Sequence, residues 1–244
     1  MLQAYFKNLY KRTMSEAYTI AKQNIRDSVA GGGRVLDCGA SNGGWSEDIK
    51  SAQSSNTLDY FGIEWDHDLV SQAQSLGRNV IQGDLNKPLP YHDNFFDCIF
   101  ALSLVEHLLN PCLFLRECQR SLSPGGNLIL LTPNISTYFT IALLIAGKMP
   151  SSGPHPDSES LVLSEELFRV QSHAPEVDLE SDTPVHRHLV VFSYRVLKRY
   201  LEMLGFSRIQ GYGFGLYPFP NFMQPLLERV DPYHCHQIVF IARK

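Results

Sequence analysis

The run Arg34-Val-Leu-Asp-Cys-Gly-Ala-Ser-Asn-Gly-Gly44 decides how the chain is read. Its apolar first half reads as a buried strand, and Gly39 permits the sharp turn that ends it. Ser41 is small and polar, while Gly43 and Gly44 let backbone approach a ligand before a helix begins near Trp45. Taken alone the loop is ambiguous. Gly39, Ser41 and Gly44 are also a degraded dinucleotide-binding spacing, and glycines of this kind serve plain turns.

Working outward, Ala17, Ile20, Ala21, Ile25 and Val29 sit at helical spacing over residues 14 to 30, and Gly31-Gly-Gly33 stops that helix ahead of the strand. Downstream, strand-like runs at Arg34–Cys38, Tyr60–Glu64, Asn79–Gln82, Phe96–Ala101 and Asn127–Thr132 alternate with helical patterns, which predicts parallel strands joined by crossover helices. Asn110-Pro111 should start one helix as cap and first-turn residue, and Ser123-Pro-Gly-Gly126 should end it. Ser193 should cap a second, Tyr194 to Leu204, with Gly205 at its left-handed end and a strand over Gly205–Gln210. A last strand is expected over Ile238–Ala242.

In an open α/β sheet, ligands bind beyond the carboxyl ends of the strands. Three further features lie at such ends. Glu64 closes the second strand, where a carboxylate can accept two hydrogen bonds from ribose hydroxyls. Gly83-Asp84-Leu85 follows the third, with an acid able to accept from an adenine amine and a leucine able to pack on the ring. Phe96-Asp-Cys-Ile-Phe-Ala-Leu-Ser-Leu-Val-Glu-His-Leu108 is a strand running into a polar cluster.

With four motifs in order over roughly residues 30 to 135, the chain resembles the class I S-adenosylmethionine-dependent methyltransferases. That resemblance implies a Rossmann-like, open seven-stranded sheet, mostly parallel, with a C-terminal antiparallel hairpin and helices on both faces. It also implies S-adenosylmethionine as cofactor. Asp37, Gly39, Ala40, Ser41 and Gly43 would lie at its methionine end, Glu64 and Trp65 at the ribose, Gly83, Asp84 and Leu85 at the adenine, and Leu102 and Ser103 beside the sulfonium. Ser41 stands where the family usually has its second motif glycine. Glu106-His107 is similar to a pair at the active-site mouth of ubiquinone-pathway O-methyltransferases, which carry a further acid where this chain has Ser103.

Glu106 and His107 are therefore the first catalytic candidates, set against the simpler role of a histidine that caps a helix. His188 is the third. His186 and His188 share one face of an extended segment and can reach the pocket together, but a metal centre needs at least one more ligand, and no metal is expected. His234-Cys235-His236 reads as the entry to the last strand.

The chain is expected to form one domain over 1–244, with an N-terminal helical segment (1–30), a cofactor-binding core (31–135), an inserted lid (136–190) and a C-terminal helix and hairpin (191–244). The lid opens with the apolar Tyr138–Ile145 and continues acidic. Residues 151 to 185 carry a local charge of −7, against −4 for the whole chain. That balance, with no basic stripe, points to a small or medium acceptor and away from nucleic acid; oxygen is one candidate for the methyl-receiving atom, and nitrogen and protein acceptors stay open. Five scattered cysteines, no secretory leader pattern and no apolar run of bilayer length suggest a cytoplasmic protein without a membrane span. Two other readings stay open on these residues: a nicotinamide-dependent oxidoreductase, and a nucleoside-binding module without turnover.

Overall fold

The computed structural model describes residues 2–50, 58–150, 152–161 and 187–244. The first helix, α1 (Leu2–Ser28), begins well before residue 14. Its buried stripe runs Phe6, Leu9, Thr13, Ala17, Ala21, Ile25, each three or four residues after the last. Thr13 hides this stripe in the sequence. Its hydroxyl donates back to Leu9 O at 2.8 Å, so a polar residue occupies a buried position without an unpaired group. Gly32 and Gly33, at φ of 95° and 118°, then turn the chain into β1 (Gly33–Cys38).

The remaining elements are α2 (Trp45–Lys50), β2 (Leu58–Glu64), α3 (His67–Ser75), β3 (Val80–Gln82), β4 (Phe96–Leu102), α4 (Pro111–Ser121), β5 (Leu122–Pro133), α5 (Tyr138–Ile145), α6 (Tyr194–Met203), β6 (Ser207–Phe214), α7 (Gln224–Val230) and β7 (Gln237–Arg243). Among the described residues, seven strands form one sheet in the order β3-β2-β1-β4-β5-β7-β6. The first five are parallel, and β7 is antiparallel to both β5 and β6. The expected antiparallel pair is present, though α7 lies in its connection where a tight turn would have made a simple hairpin.

Strand alternation sends side chains to two cores. Leu36, Ile63, Ile99, Leu128 and Phe240 meet Phe114 and Leu115 of α4 and Leu197 and Leu201 of α6. Val35, Tyr60, Phe100, Ile129 and Val239 meet Ala17, Ala21 and Ile25 of α1 and Val70 and Ala73 of α3. Both faces are thus covered, as a parallel sheet requires.

Local signals mostly act as the residues predict. Ser193 Oγ accepts from Val196 N to cap α6, and Gly205, at φ 87°, closes it, so β6 starts two residues later than expected and runs on to Phe214. Asn110 holds the cap position of α4 but bonds elsewhere: its Nδ2 donates to Asn86 O at 3.4 Å. Ser123–Gly126 does end α4, and it is also taken into β5 as an irregularity, since Phe96 pairs Leu122 while Cys98 pairs Asn127. All five cysteines are free thiols. No helix among the described residues is long and apolar enough to cross a membrane.

Strand order reverses between β1 and β4, because the chain builds β2 and β3 on one side and β4 and β5 on the other. The crevice beyond Cys38 and Leu102 is therefore the topological switch point.

Candidate active site

Gly39 N and Ala40 N both donate to Ile63 O, at 2.9 and 3.0 Å, so the loop after β1 is tied to β2 from its first residues. Gly39, Ser41 and Gly43 all have positive φ, at 76°, 50° and 74°. Ser41 thus adopts the left-handed backbone that the usual glycine would take freely. Its N–H donates to Glu64 Oε2 at 2.8 Å, while Glu64 Oε1 accepts from Trp65 N at 2.7 Å and Asp66 N at 3.0 Å. Three backbone donors hold that carboxylate at the end of β2. Trp65 beside it is 69% exposed, a large ring with a face open to solvent.

At the end of β3, Gly83 N donates to Glu64 O, and a Cβ at residue 83 would meet Ile63 Cγ2 at 2.8 Å. Asp84 follows, its Oδ1 accepting from Asn86 N and Asn86 Nδ2; these bonds, led by the backbone one, hold its pKa below the usual range. Leu85 is buried. At the end of β4, Leu102 is half-buried, and Ser103, at φ 54°, donates its N–H to Leu131 O. Asp37 is 2% exposed and accepts from Tyr60 Oη at 2.6 Å; burial pushes its pKa up to about 7.

Next to Ser103 a 3₁₀ turn, Val105–His107, presents the Glu-His pair. Glu106 is 2% exposed and accepts from Thr132 Oγ1 at 3.0 Å, and burial pushes its pKa up to about 7. His107 Nδ1 lies 3.0 Å from Arg187 O, and His188 Nδ1 bonds Ser152 O. Burial holds the His188 pKa down at about 4. One ligand atom from each of Glu106, His107 and His188 lies within 4.8 Å of the other two. The structure thus brings together the three catalytic candidates. Leu189 N and Val190 N both donate to Glu106 O, which fixes the strap carrying His188 over the pair. His186 and most of the acidic stretch lie outside the described residues.

Sequence reading missed Tyr60, Thr132, Ser152, His155 and His236. A buried acid in a strand needs a donor, so Asp37 signals a partner such as Tyr60, which sits on the same face of the neighbouring strand. His155 stacks on the His188 ring at 5.0 Å. His236 does enter β7, as expected, but its Nδ1 lies 3.5 Å from Ser152 Oγ, beside this cluster. No sequence spacing announces either contact. His234 instead pairs with Asp231 at 2.7 Å.

A seven-stranded sheet of this order, with polar and glycine-rich loops at four neighbouring strand ends, is the Rossmann-like fold of class I methyltransferases. Residues 36–130 match the methyltransferase domain family. Over this stretch the chain is similar to S-adenosylmethionine-dependent methyltransferases, and its fold is theirs. It is 30% identical over 122 residues to a ubiquinone biosynthesis O-methyltransferase of Xanthomonas oryzae pv. oryzae, covering 48% of this chain and 49% of that one. It is 27% identical over 125 residues to the ubiquinone/menaquinone biosynthesis C-methyltransferase UbiE of Burkholderia mallei, covering 48% of each. The chain spans about half the length of these relatives. Its fold is similar to that of a SAM-dependent methyltransferase from Archaeoglobus fulgidus, with a TM-score of 0.56 at 18% identity over 93% of this chain and 94% of that one. The match to methyltransferases favours S-adenosylmethionine over nicotinamide, the choice that the loop left open.

The residues present fit that cofactor. Glu64 is held as a hydrogen-bond acceptor at the end of β2, able to take ribose hydroxyls, and Trp65 beside it offers an exposed ring.

Proposed function

We propose that the chain moves the methyl group of S-adenosylmethionine to a small or medium acceptor, at oxygen, in the crevice beyond β1 and β4. The cofactor supplies a carbon already activated by a positive sulfur. The protein's part is to hold the two reactants in line and keep water out. Glu64 and Trp65 would hold the ribose, Gly83 to Leu85 the adenine, and the loop from Gly39 to Gly43 the methionine end, with Leu102 and Ser103 beside the sulfonium.

The observation that carries the acceptor half is the convergence of Glu106, His107 and His188 directly after Ser103. An oxygen acceptor carries a proton that must leave, and a neutral imidazole is a suitable recipient. His188 Nδ1 can only donate to Ser152 O, so the lone pair of its ring is on Nε2, able to accept a hydrogen bond from the acceptor hydroxyl. Glu106 would orient the acceptor hydroxyl. In the relatives' names both oxygen and carbon methylation occur, and a basic group at the acceptor supports the oxygen reading.

The helix α5 directly follows β5 and leaves Ile141, Leu144 and Ile145 exposed, with Ile145 at 83%. With the acidic stretch it would cover the acceptor. Removing residues 138–180 should then damage acceptor turnover more than cofactor affinity.

The test is calorimetry with S-adenosylmethionine and with NAD, then a screen of hydroxylated, amine and carbon acceptors for label transferred from methyl-labelled cofactor. Turnover confined to hydroxyl acceptors, lost in His188→Asn, is the expected result. Transfer to nitrogen or carbon alone would overturn the acceptor atom. Tight binding without transfer to any acceptor would leave a nucleoside-binding module.

A further inference from the structure

We propose that Tyr10 of α1 and Gln237 of β7 form a subsite, beside Glu106, that holds a neutral carbonyl oxygen of the methyl acceptor by hydrogen bonds. The two residues share one face of the sheet and one end of it. Val239 and Ile241 of β7 pack with Ala17, Ala21 and Ile25 of α1, so Gln237, on the same side of its strand, faces α1 as well. It pairs with Pro133, the last residue of β5, at the crevice end of the sheet. Asn127 Nδ2 donates to Ser28 Oγ at 3.0 Å and fixes the end of α1 beside the opposite end of β5. From Asn127 to Pro133 is about 20 Å of strand, which about 13 residues of helix span. Counting back from Ser28, α1 passes Gln237 near Met14, and Tyr10 stands one turn further on, over the crevice. Its ring meets the His236 ring edge-on at 5.9 Å.

Both side chains carry hydrogen-bonding groups that the fold does not use. Gln237 is 5% exposed, its Oε1 is buried without a hydrogen-bond partner, and its Nε2 bonds to none of the described residues. Other buried amides are fully engaged. Gln224 bonds Leu216 N, Leu216 O and Phe219 O, and both ends of Asn134 are bonded too. An unpaired buried amide costs stability, and in an otherwise satisfied interior it points to a bound molecule that completes its bonding. Tyr10 Oη is likewise without a partner among the described residues, although the side chain is half-buried. Burial, with Tyr18 and Glu106 nearby, raises its pKa, so the hydroxyl keeps its proton and donates into the space that Glu106 also faces.

Two neutral donors, a phenol and an amide N–H, suit an oxygen that only accepts. Glu106 would repel a carboxylate there, and Arg12, the half-buried cation next along α1, is committed to Glu16 and Glu228. A ketone, aldehyde or amide carbonyl fits. That the bound molecule is the methyl acceptor rests on the methyl transfer proposed above; the subsite itself does not.

The test is to load the chain with S-adenosylhomocysteine and titrate it by calorimetry with 4-hydroxyacetophenone and with 4-ethylphenol, in which a methylene replaces the carbonyl. The ketone should bind about ten-fold tighter, the size of one or two net hydrogen bonds. In Tyr10→Phe and in Gln237→Met that preference should fall to about two-fold or less, one donor having gone, with S-adenosylmethionine affinity unchanged. Gln237→Met is close to isosteric and removes the unpaired amide, so its unfolding midpoint without ligand should hold or rise, where an amide needed by the fold would give a fall. Equal or absent binding of the two probes, a preference kept in both variants, or a less stable Gln237→Met overturns the subsite and leaves the amide to an ordered water. The expected preference without methyl transfer to any acceptor would support the subsite and sink the transfer reaction instead.

Discussion

Tyr60 Oη donates to Asp37 Oδ2 across the β1–β2 pair at 2.6 Å, and this bond holds a fully buried carboxyl one residue before the end of the strand that launches the glycine loop. Burial outweighs the bond and pushes the Asp37 pKa up to about 7. The folded chain therefore keeps a proton that the unfolded chain releases near pH 4, so this group's contribution to stability is full below about pH 4, falls as pH rises toward about 7 and is flat above. Asp37→Asn removes the titration. The stability of the wild-type chain relative to this variant should decline between pH 4 and 7 by up to about 1.4 kcal/mol per pH unit, read from denaturant unfolding at each pH. A constant difference would mean that Asp37 is ionised throughout.

Ser41 at φ 50° occupies backbone that glycine tolerates without cost. Its functional bond to Glu64 comes from the N–H, which glycine retains. Ser41→Gly should relieve about 1 kcal/mol of strain and give back part of it through a more flexible unfolded chain. A net gain of roughly 0.5 kcal/mol, with cofactor affinity unchanged or improved, is the outcome to look for in paired unfolding and binding measurements.

Glu64 joins three backbone donors, at Ser41, Trp65 and Asp66. Glu64→Ala leaves all three without that acceptor and removes the carboxylate proposed to hold the ribose. Cofactor affinity should fall by about 1.5 to 3 kcal/mol, the usual cost of hydrogen bonds to a charged group, with Glu64→Gln between the two. Calorimetry with S-adenosylmethionine measures this directly, and an unchanged affinity would remove Glu64 from the cofactor site.

Gly62 faces Asp37 on the neighbouring strand, and a Cβ there would lie 2.7 Å from Ala40 Cβ and 2.9 Å from Val80 Cγ2. Gly62→Ala must push either the loop or β3. A loss of about 1 to 3 kcal/mol in stability is expected, the range for overpacking, together with weaker cofactor binding because Ala40 belongs to the loop.

Much of this architecture was legible because its signals are local and repeated. The strand at Arg34–Cys38, the cap at Ser193 and the glycine at 205 each carry their own short-range chemistry. The long start of α1 was not, since Thr13 breaks the apolar stripe and only its bond to Leu9 O reveals why it can be buried. Residues at strand ends could be found from sequence because the strands place them. The meeting of His188 with Glu106 could not. It depends on main-chain bonds from Leu189 and Val190, more than 80 residues away in sequence, which leave no trace in side-chain pattern. His155 reaches the cluster through its contact with His188, and His236 through Ser152, 84 residues away.

β7 follows every other described element in chain order yet lies between β5 and β6. During synthesis, β6 therefore emerges with no sheet neighbour, and β5 waits with one edge of its backbone unpaired until Gln237–Arg243 arrives. That interval is when the nascent chain is most open to pairing with another strand. Substitutions that weaken β7, such as a proline at the fully buried Val239, should lower soluble yield well beyond their effect on the chemistry of the crevice.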